Sequence, residues 1–172
     1  MKFTKAALAA LMMTVMASSG QAATTTATAT LTINATFTMP SCDIQVPSSY
    51  NLGTLTPGTK EHGDLKITWT CEGAQSVKTA LTAGIVAGIA DGDNKVRLMA
   101  GGQATGAVLS LRDKSDRSLI KLTGHQAEGY FCSDSSATTG MRTCTLTPIT
   151  EVDRNGPFGL ASATLNFAVA YP

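Results

Sequence analysis

The stretch of sequence that decides the fold reads ATLTINATFTMPSC and runs from Ala29 to Cys42. Every odd position from Ala29 to Met39 is apolar, and every even position from Thr30 to Thr38 is threonine or asparagine. Because side chains alternate between the two faces of a strand, this period of two predicts a strand with one buried face. A strand this apolar must be covered, either by its own domain or by a neighbouring molecule.

The residues before this stretch have the pattern of a secretory signal peptide. Lys2 and Lys5 give a basic start, an apolar run extends to Met16, and small residues at positions 20 and 22 fit a cleavage site. We therefore expect residues 1–22 to be removed and the remainder to be an exported chain of one-domain size. The formal net charge of +1 at pH 7 gives no electrostatic reason to expect a nucleic acid among its partners.

Four cysteines in an exported chain are expected to form two disulfides, for which three pairings are possible. Cys132 and Cys144 bracket a small polar loop between two apolar segments. A local bond across that hairpin is the economical choice, and it leaves Cys42 to pair with Cys71. The sequence has no CxxC motif, and neither histidine lies near a close cysteine pair, so we expect no metal site.

Alternation of apolar and polar residues recurs along the chain. Leu65–Cys71, LKITWTC, is the next clear strand and places Trp69 and Cys71 on one face. Residues 107–111 and 118–122 are predicted strands joined by a charged, solvated turn, and residues 83–102 and 133–141 are predicted loops. From position 161 to 171 every odd residue is again apolar or aromatic. Since no segment has a helical period between caps, the sequence predicts an all-β sandwich.

No pattern of residues indicates catalysis. His62 and His125 are expected in exposed loops, and the sequence lacks a GxSxG motif. We therefore predict no catalytic residue, no cofactor and no enzymatic activity.

Taken in order, these segments resemble the subunits of chaperone–usher fimbriae, the pilins. The resemblance rests on the alternating stretch that leads through Pro40 to Cys42, the Leu65–Cys71 strand, the hairpin strand at residues 108–113 and the penultimate Tyr171. Gly159 is fourteenth from the end of the chain, where such subunits often have glycine.

The resemblance implies an incomplete immunoglobulin-like β-sandwich that lacks its seventh strand and is completed by a donor strand from a neighbour. Residues 23–39 would be the donor-strand extension and residues 40–172 the pilin domain. The donor side chains would be Leu31, Ile33, Ala35, Phe37 and Met39. The strand that forms the groove and docks the chaperone would carry Gly159, Leu165, Phe167, Val169 and Tyr171.

The same resemblance implies the partners and the location. The partners would be related pilin subunits in a head-to-tail polymer, a periplasmic chaperone, an outer-membrane usher and a host-surface receptor. The chain would pass through the periplasm to a surface fimbria that supports adhesion. Pilins commonly have glycine where this chain has Ala35, so the register of the donor strand stays open. The alternatives are an adhesive subunit that binds a receptor through residues 83–102 and 133–141, and a secreted immunoglobulin-like binding protein outside fimbriae.

Overall fold

The computed structural model describes Thr32, Asn34, residues 40–155 and residues 157–172. The predicted signal peptide and the five predicted donor side chains, at positions 31, 33, 35, 37 and 39, lie outside the described residues. Both assignments therefore stay predictions. Every described strand belongs to one compact unit, Thr38–Pro172.

The described residues form β-strands and one short 3-10 turn at Ala127–Gly129, which confirms the prediction of an all-β chain. No helix in the described part of the chain is long and apolar enough to cross a membrane. The strands are β1 Cys42–Gln45, β2 Gly58–Glu61, β3 Leu65–Cys71, β4 Ala80–Ala87, β5 Ile89–Ala90, β6 Lys95–Ala100, β7 Gln103–Asp113, β8 Met141–Val152 and β9 Thr164–Ala170.

Two antiparallel sheets pack around one core. The larger sheet has the order β1-β3-β8-β7-β6-β5, and β2 also pairs with β8. The smaller sheet consists of β4 and β9. Strand β3 shows how the alternation produces this packing, because Leu65, Ile67 and Trp69 are buried while Lys66 and Thr70 are exposed. The buried cluster combines both sheets and includes Leu65, Ile67, Trp69, Leu81, Leu111, Phe131 and Leu146.

Strand β8 is central in the large sheet although it contains Pro148. Proline cannot donate a hydrogen bond to a neighbouring strand, so it is normally confined to sheet edges or irregular positions. Pro148 lies where the partner of β8 changes, because β3 pairs with β8 up to Leu146 and β2 pairs with it from Ile149. The missing N–H therefore falls in the gap between two partner strands, and the carbonyl of Pro148 still accepts the N–H of His62 at 2.9 Å.

The two disulfides are the pairs expected from the sequence. Cys42 is bonded to Cys71, which joins β1 to β3, and Cys132 is bonded to Cys144, which ties a loop to β8. Potential metal-ligand atoms of Asp113, Cys132 and Cys144 lie within 4.8 Å of one another. Both sulfurs of this cluster belong to the disulfide, so they are not available as thiolates.

Two sequence predictions of local structure are wrong. Residues 83–102 are not a long loop, because they contain the end of β4, all of β5 and all of β6, with a turn at residues 91–94. Their glycines and alanines obscured the alternation. Residues 118–122 are not a regular strand, because only the single bridge between Leu119 and Arg112 pairs them with β7.

The charged turn after β7 is not fully solvated. Asp113 is only 1% exposed, and its carboxylate accepts hydrogen bonds from the N–H of Ser115 at 2.9 Å and from the N–H of Cys132 at 3.2 Å. Its side chain thus fixes both the turn and the neighbouring loop. The prediction that His62 is exposed is also wrong, since it is half-buried and its Nε2 lies 2.8 Å from the hydroxyl of Thr150.

Candidate functional site: the groove beside the last strand

An open groove with a volume of about 940 Å³ runs along β9. One wall is formed by Ala163, Leu165 and Phe167, and the opposite wall by residues 46–55, which follow β1. The floor belongs to the large sheet and includes Leu65, Leu98, Leu109 and Leu111. The core of the sandwich is therefore accessible between the first and the last described strands.

The outer edge of β9 has main-chain groups directed into this groove. The N–H and C=O of Leu81 in β4 both bond to Phe131, on the side of β4 away from β9. Leu81 and its partner Val169 are therefore a non-hydrogen-bonded pair of the antiparallel ladder, as are Ala83 and Phe167 two residues along. It follows that Val169 and Phe167 point their N–H and C=O away from β4, and among the described residues no strand pairs with that edge.

At one end of the groove, beyond Phe167, Tyr171 joins the last strand to the start of the domain. Its hydroxyl donates to the carbonyl of Pro40 and lies 3.0 Å from Sγ of Cys42. We call this contact the Tyr171 clasp and this end of the groove the closed end. The clasp joins the last residues of the chain to the point where the chain enters the folded domain.

The other end of the groove is bordered by an exposed loop. Residues 157–160 line the cavity just before β9, and we call them the mouth loop and this end the mouth. Gly159 in this loop has φ of 139°, a conformation that L side chains rarely adopt, and a Cβ atom there would meet nothing within 4 Å. Glycine at this position is thus required by the backbone rather than by close packing.

The structure brings together the residues that the sequence assigned to the last strand, although they have different surroundings. Gly159, Leu165 and Phe167 line the groove, whereas Val169 and Tyr171 lie toward its closed end. The ring of Phe167 meets that of Phe131 edge to face, with centroids 6.5 Å apart and planes at 78°. Leu165, Phe167 and Val169 are only half-buried, although they pack against the core.

Sequence reasoning missed the second wall. Residues 46–55 contain Val46, Leu52 and Leu55 separated by serine, proline and glycine, and they have no regular alternation. These three apolar residues are half-buried at the groove, while their neighbours are exposed. The sequence signal for this wall was that three apolar residues stand apart in a polar, turn-rich segment.

The loop at residues 133–140 is held by a buried ion pair. Nε of Arg142 donates to the carboxylate of Asp134 at 2.9 Å, and both side chains are largely buried. The same carboxylate accepts the N–H and the hydroxyl of Thr79, and that hydroxyl accepts the indole N–H of Trp69 at 2.8 Å. This loop is therefore fixed to the core. Of the two segments that the sequence predicted as receptor loops, it is the one that is a loop in the structure.

Comparisons with solved structures agree with this architecture. The rod subunit PapA of the P pilus superposes with a TM-score of 0.57 at 18% identity, over 76% of this chain and 99% of that one. A chain of a chaperone–usher pilus, from a structure that addresses rod uncoiling, superposes with a TM-score of 0.56 at 18% identity, over 85% of this chain and 96% of that one. This chain has the fold of a pilus subunit.

These pilus subunits have an immunoglobulin-like fold that lacks a strand, so the predicted fold class is confirmed. The unpaired edge of β9 and the groove beside it are where such a fold is incomplete. No protein-family description matches the sequence, and no curated protein sequence matches it either.

Proposed function

We propose that this chain is a structural subunit of a surface fimbria and polymerises by donor-strand exchange. The observation that carries the proposal is the combination of an apolar groove with an unpaired strand edge along its side. An added strand binds such a site by supplying ladder hydrogen bonds to the edge and a side chain to every second pocket. The solved pilus subunits of the same fold support this assignment.

The occupant is the extension of a second copy or of a related subunit. Its alternating side chains, Leu31, Ile33, Ala35, Phe37 and Met39, have the period that strand addition requires. At about 1.5–3 kcal/mol for each large side chain, they would contribute on the order of 6–10 kcal/mol before the cost of ordering the strand. Since the donor and acceptor surfaces differ, the contact propagates into a fibre instead of closing into a dimer.

The Tyr171 clasp supports one direction of assembly for the proposed fibre. The extension of each subunit joins the domain at Pro40, which the clasp holds at the closed end. The body of the incoming donor must therefore lie at the mouth of the acceptor groove. The donor strand would then run antiparallel to β9, and each subunit would have one neighbour at each end.

The remaining steps follow from the exposed groove. An unfilled apolar groove with an open strand edge favours aggregation, so export calls for a periplasmic chaperone that occupies it before an outer-membrane usher releases the subunit into the fibre. The mature subunit would reside at the cell surface and act in adhesion. Receptor binding would use the fixed loop at residues 133–140.

Fibre formation tests the proposal. The chain is expressed with a matching chaperone and usher, and fibres are observed by electron microscopy. Deletion of residues 23–38 and the substitution Ile33→Asp should both abolish incorporation, whereas Thr32→Asp, on the other face of the predicted strand, should be tolerated. The Asp at position 33 would put a carboxylate in an apolar pocket at a cost of several kcal/mol. Normal fibres from the deletion variant would refute the proposal.

A further inference from the structure

Two apolar side chains of the mouth loop are almost fully exposed. Phe158 is 87% and Leu160 is 97% exposed, more than the other exposed large apolar side chains of the described residues, such as Met141 at 72% and Val86 at 64%. Large apolar side chains exposed side by side commonly mark a surface that contacts another molecule. They lie on either side of Gly159 and border the groove.

The base of this loop is held in place. The N–H of Ser162 donates to the carbonyl of Met99, and the N–H of Met99 donates to the carbonyl of Ser162, both at 2.9 Å. Two residues later β9 begins and pairs with β4. Phe158 and Leu160 are thus presented close to a fixed point of the sandwich, at the mouth.

The length of the chain brings a donor subunit close to this loop. Met39, the last predicted donor side chain, is followed directly by Pro40, and Cys42 is already bonded to Cys71 within the domain. Three residues span at most about 10 Å. If Met39 of a donor occupies the mouth of the groove, no spacer separates the acceptor from the folded body of the donor.

The part of the donor that arrives there also has an exposed apolar side chain. Met141 begins β8 and is paired with Thr70, which is in turn paired with Asp43 of β1, next to the point where the extension leaves. The closed end of one subunit therefore carries an exposed methionine two strands away from the exit of its extension, and the mouth of the other carries a phenylalanine and a leucine.

We propose that Phe158 and Leu160 form a second contact between successive subunits, against the closed end of the donor body that carries Pro40 and Met141. The contact rests on the proposed donor-strand exchange and lies at the mouth of the groove, beyond the positions that the donor side chains would fill. It would fix the angle between neighbouring subunits, because the donor strand alone leaves the donor body free to pivot about Pro40.

Covalent footprinting of exposed side chains, read by mass spectrometry, tests this contact in three samples. The samples are the mature chain refolded as a monomer at low concentration, the same monomer with an excess of a synthetic peptide of residues 23–39, and assembled fibres. Phe167 reports whether the groove is filled, and His125 is the control, because it is exposed and follows Gly124, which bonds to the edge of β4 away from β9. We expect Phe167 to lose labelling with the peptide and in the fibre, and Phe158 and Leu160 to lose it only in the fibre.

Other results would overturn the inference in distinguishable ways. Loss of labelling of Phe158 and Leu160 with the peptide alone would assign them to the groove. Full labelling in fibres in which Phe167 is protected would show that donor-strand exchange occurs without this contact. Failure of both the peptide and the fibre sample to protect Phe167 would refute the proposed function itself, and the contact with it. Equal protection of His125 in the fibre would indicate general burial by lateral packing and would overturn a specific contact at the mouth.

Discussion

The substitution Phe167→Asp is the most direct test of the groove as a binding surface. Phe167 is half-buried, lines the groove and packs edge to face against Phe131. Removing a fully buried phenylalanine costs about 3–5 kcal/mol. Because Phe167 is only partly covered in the unfilled domain, we expect a loss of about 2–3 kcal/mol in the free energy of unfolding.

The effect on strand binding should be a separate one. A bound donor strand would exclude water from the position of the new carboxylate, which has no cationic partner among the residues that line the groove. An unpaired charge buried in this way costs several kcal/mol, and even about 3 kcal/mol corresponds to roughly a hundredfold loss of affinity.

The assay is isothermal titration calorimetry of a peptide of residues 23–39 into a chain that begins at Pro40. Asn166→Asp is the matched control, because Asn166 is exposed, precedes Phe167 on the same strand and does not line the groove. Near-ultraviolet circular dichroism establishes that each variant is folded. If folded Phe167→Asp bound the peptide as tightly as Asn166→Asp does, the inner face of β9 would not be the binding surface.

Three further predictions concern the domain itself. Tyr171→Phe removes the hydroxyl of the clasp, and urea titration should show the free energy of unfolding reduced by about 1 kcal/mol, so an unchanged midpoint would count against the clasp. Asp134→Ala leaves the guanidinium of Arg142 buried without its carboxylate, and we expect a loss of about 3–5 kcal/mol in the same titration. Glu61→Ala at the more exposed Glu61–Arg112 pair should cost about 1 kcal/mol or less, and equal losses would contradict this contrast. Burial and, to a smaller extent, the charge of Lys60 lower the pKa of His62 below 6.5, so the unfolded chain takes up the proton first and stability should fall as the pH drops below 6.5. His62→Gln should reduce that pH dependence, and an identical profile for both proteins would exclude His62 as its source.

The sequence determined the strands whose alternation is regular. Strand β3 begins and ends where LKITWTC predicts it, because each apolar residue of that segment meets the core and each polar one meets solvent. The last strand is shorter than predicted, Thr164–Ala170 instead of residues 161–171, because Ser162 pairs with Met99 instead of β4 and Tyr171 is taken up in the clasp. The cysteine pairs also follow from local patterns, since one joins adjacent strands and the other closes a short loop.

Burial of single polar residues was beyond sequence reasoning. Asp113 and Arg142 occur in polar, charged or turn-like segments, yet both are buried. Asp113 accepts the N–H of Cys132, and Arg142 donates to the carbonyl of Val77, 65 residues away along the chain. His62 is covered because β2 pairs with the far half of β8. In each case at least one partner comes from a part of the chain that no local pattern brings near.

The two walls of the groove differ in the same way: one could be predicted from the sequence and the other could not. The wall formed by β9 was predictable, because the alternation of apolar and polar residues indicates which side chains point inward. Its other wall contains isolated apolar residues in an irregular segment, and the mouth loop contains two exposed apolar residues, Phe158 and Leu160, outside any strand. Whether such residues line a groove, join the core or face solvent depends on which strands are neighbours in the sheets, and only the tertiary structure fixes that order.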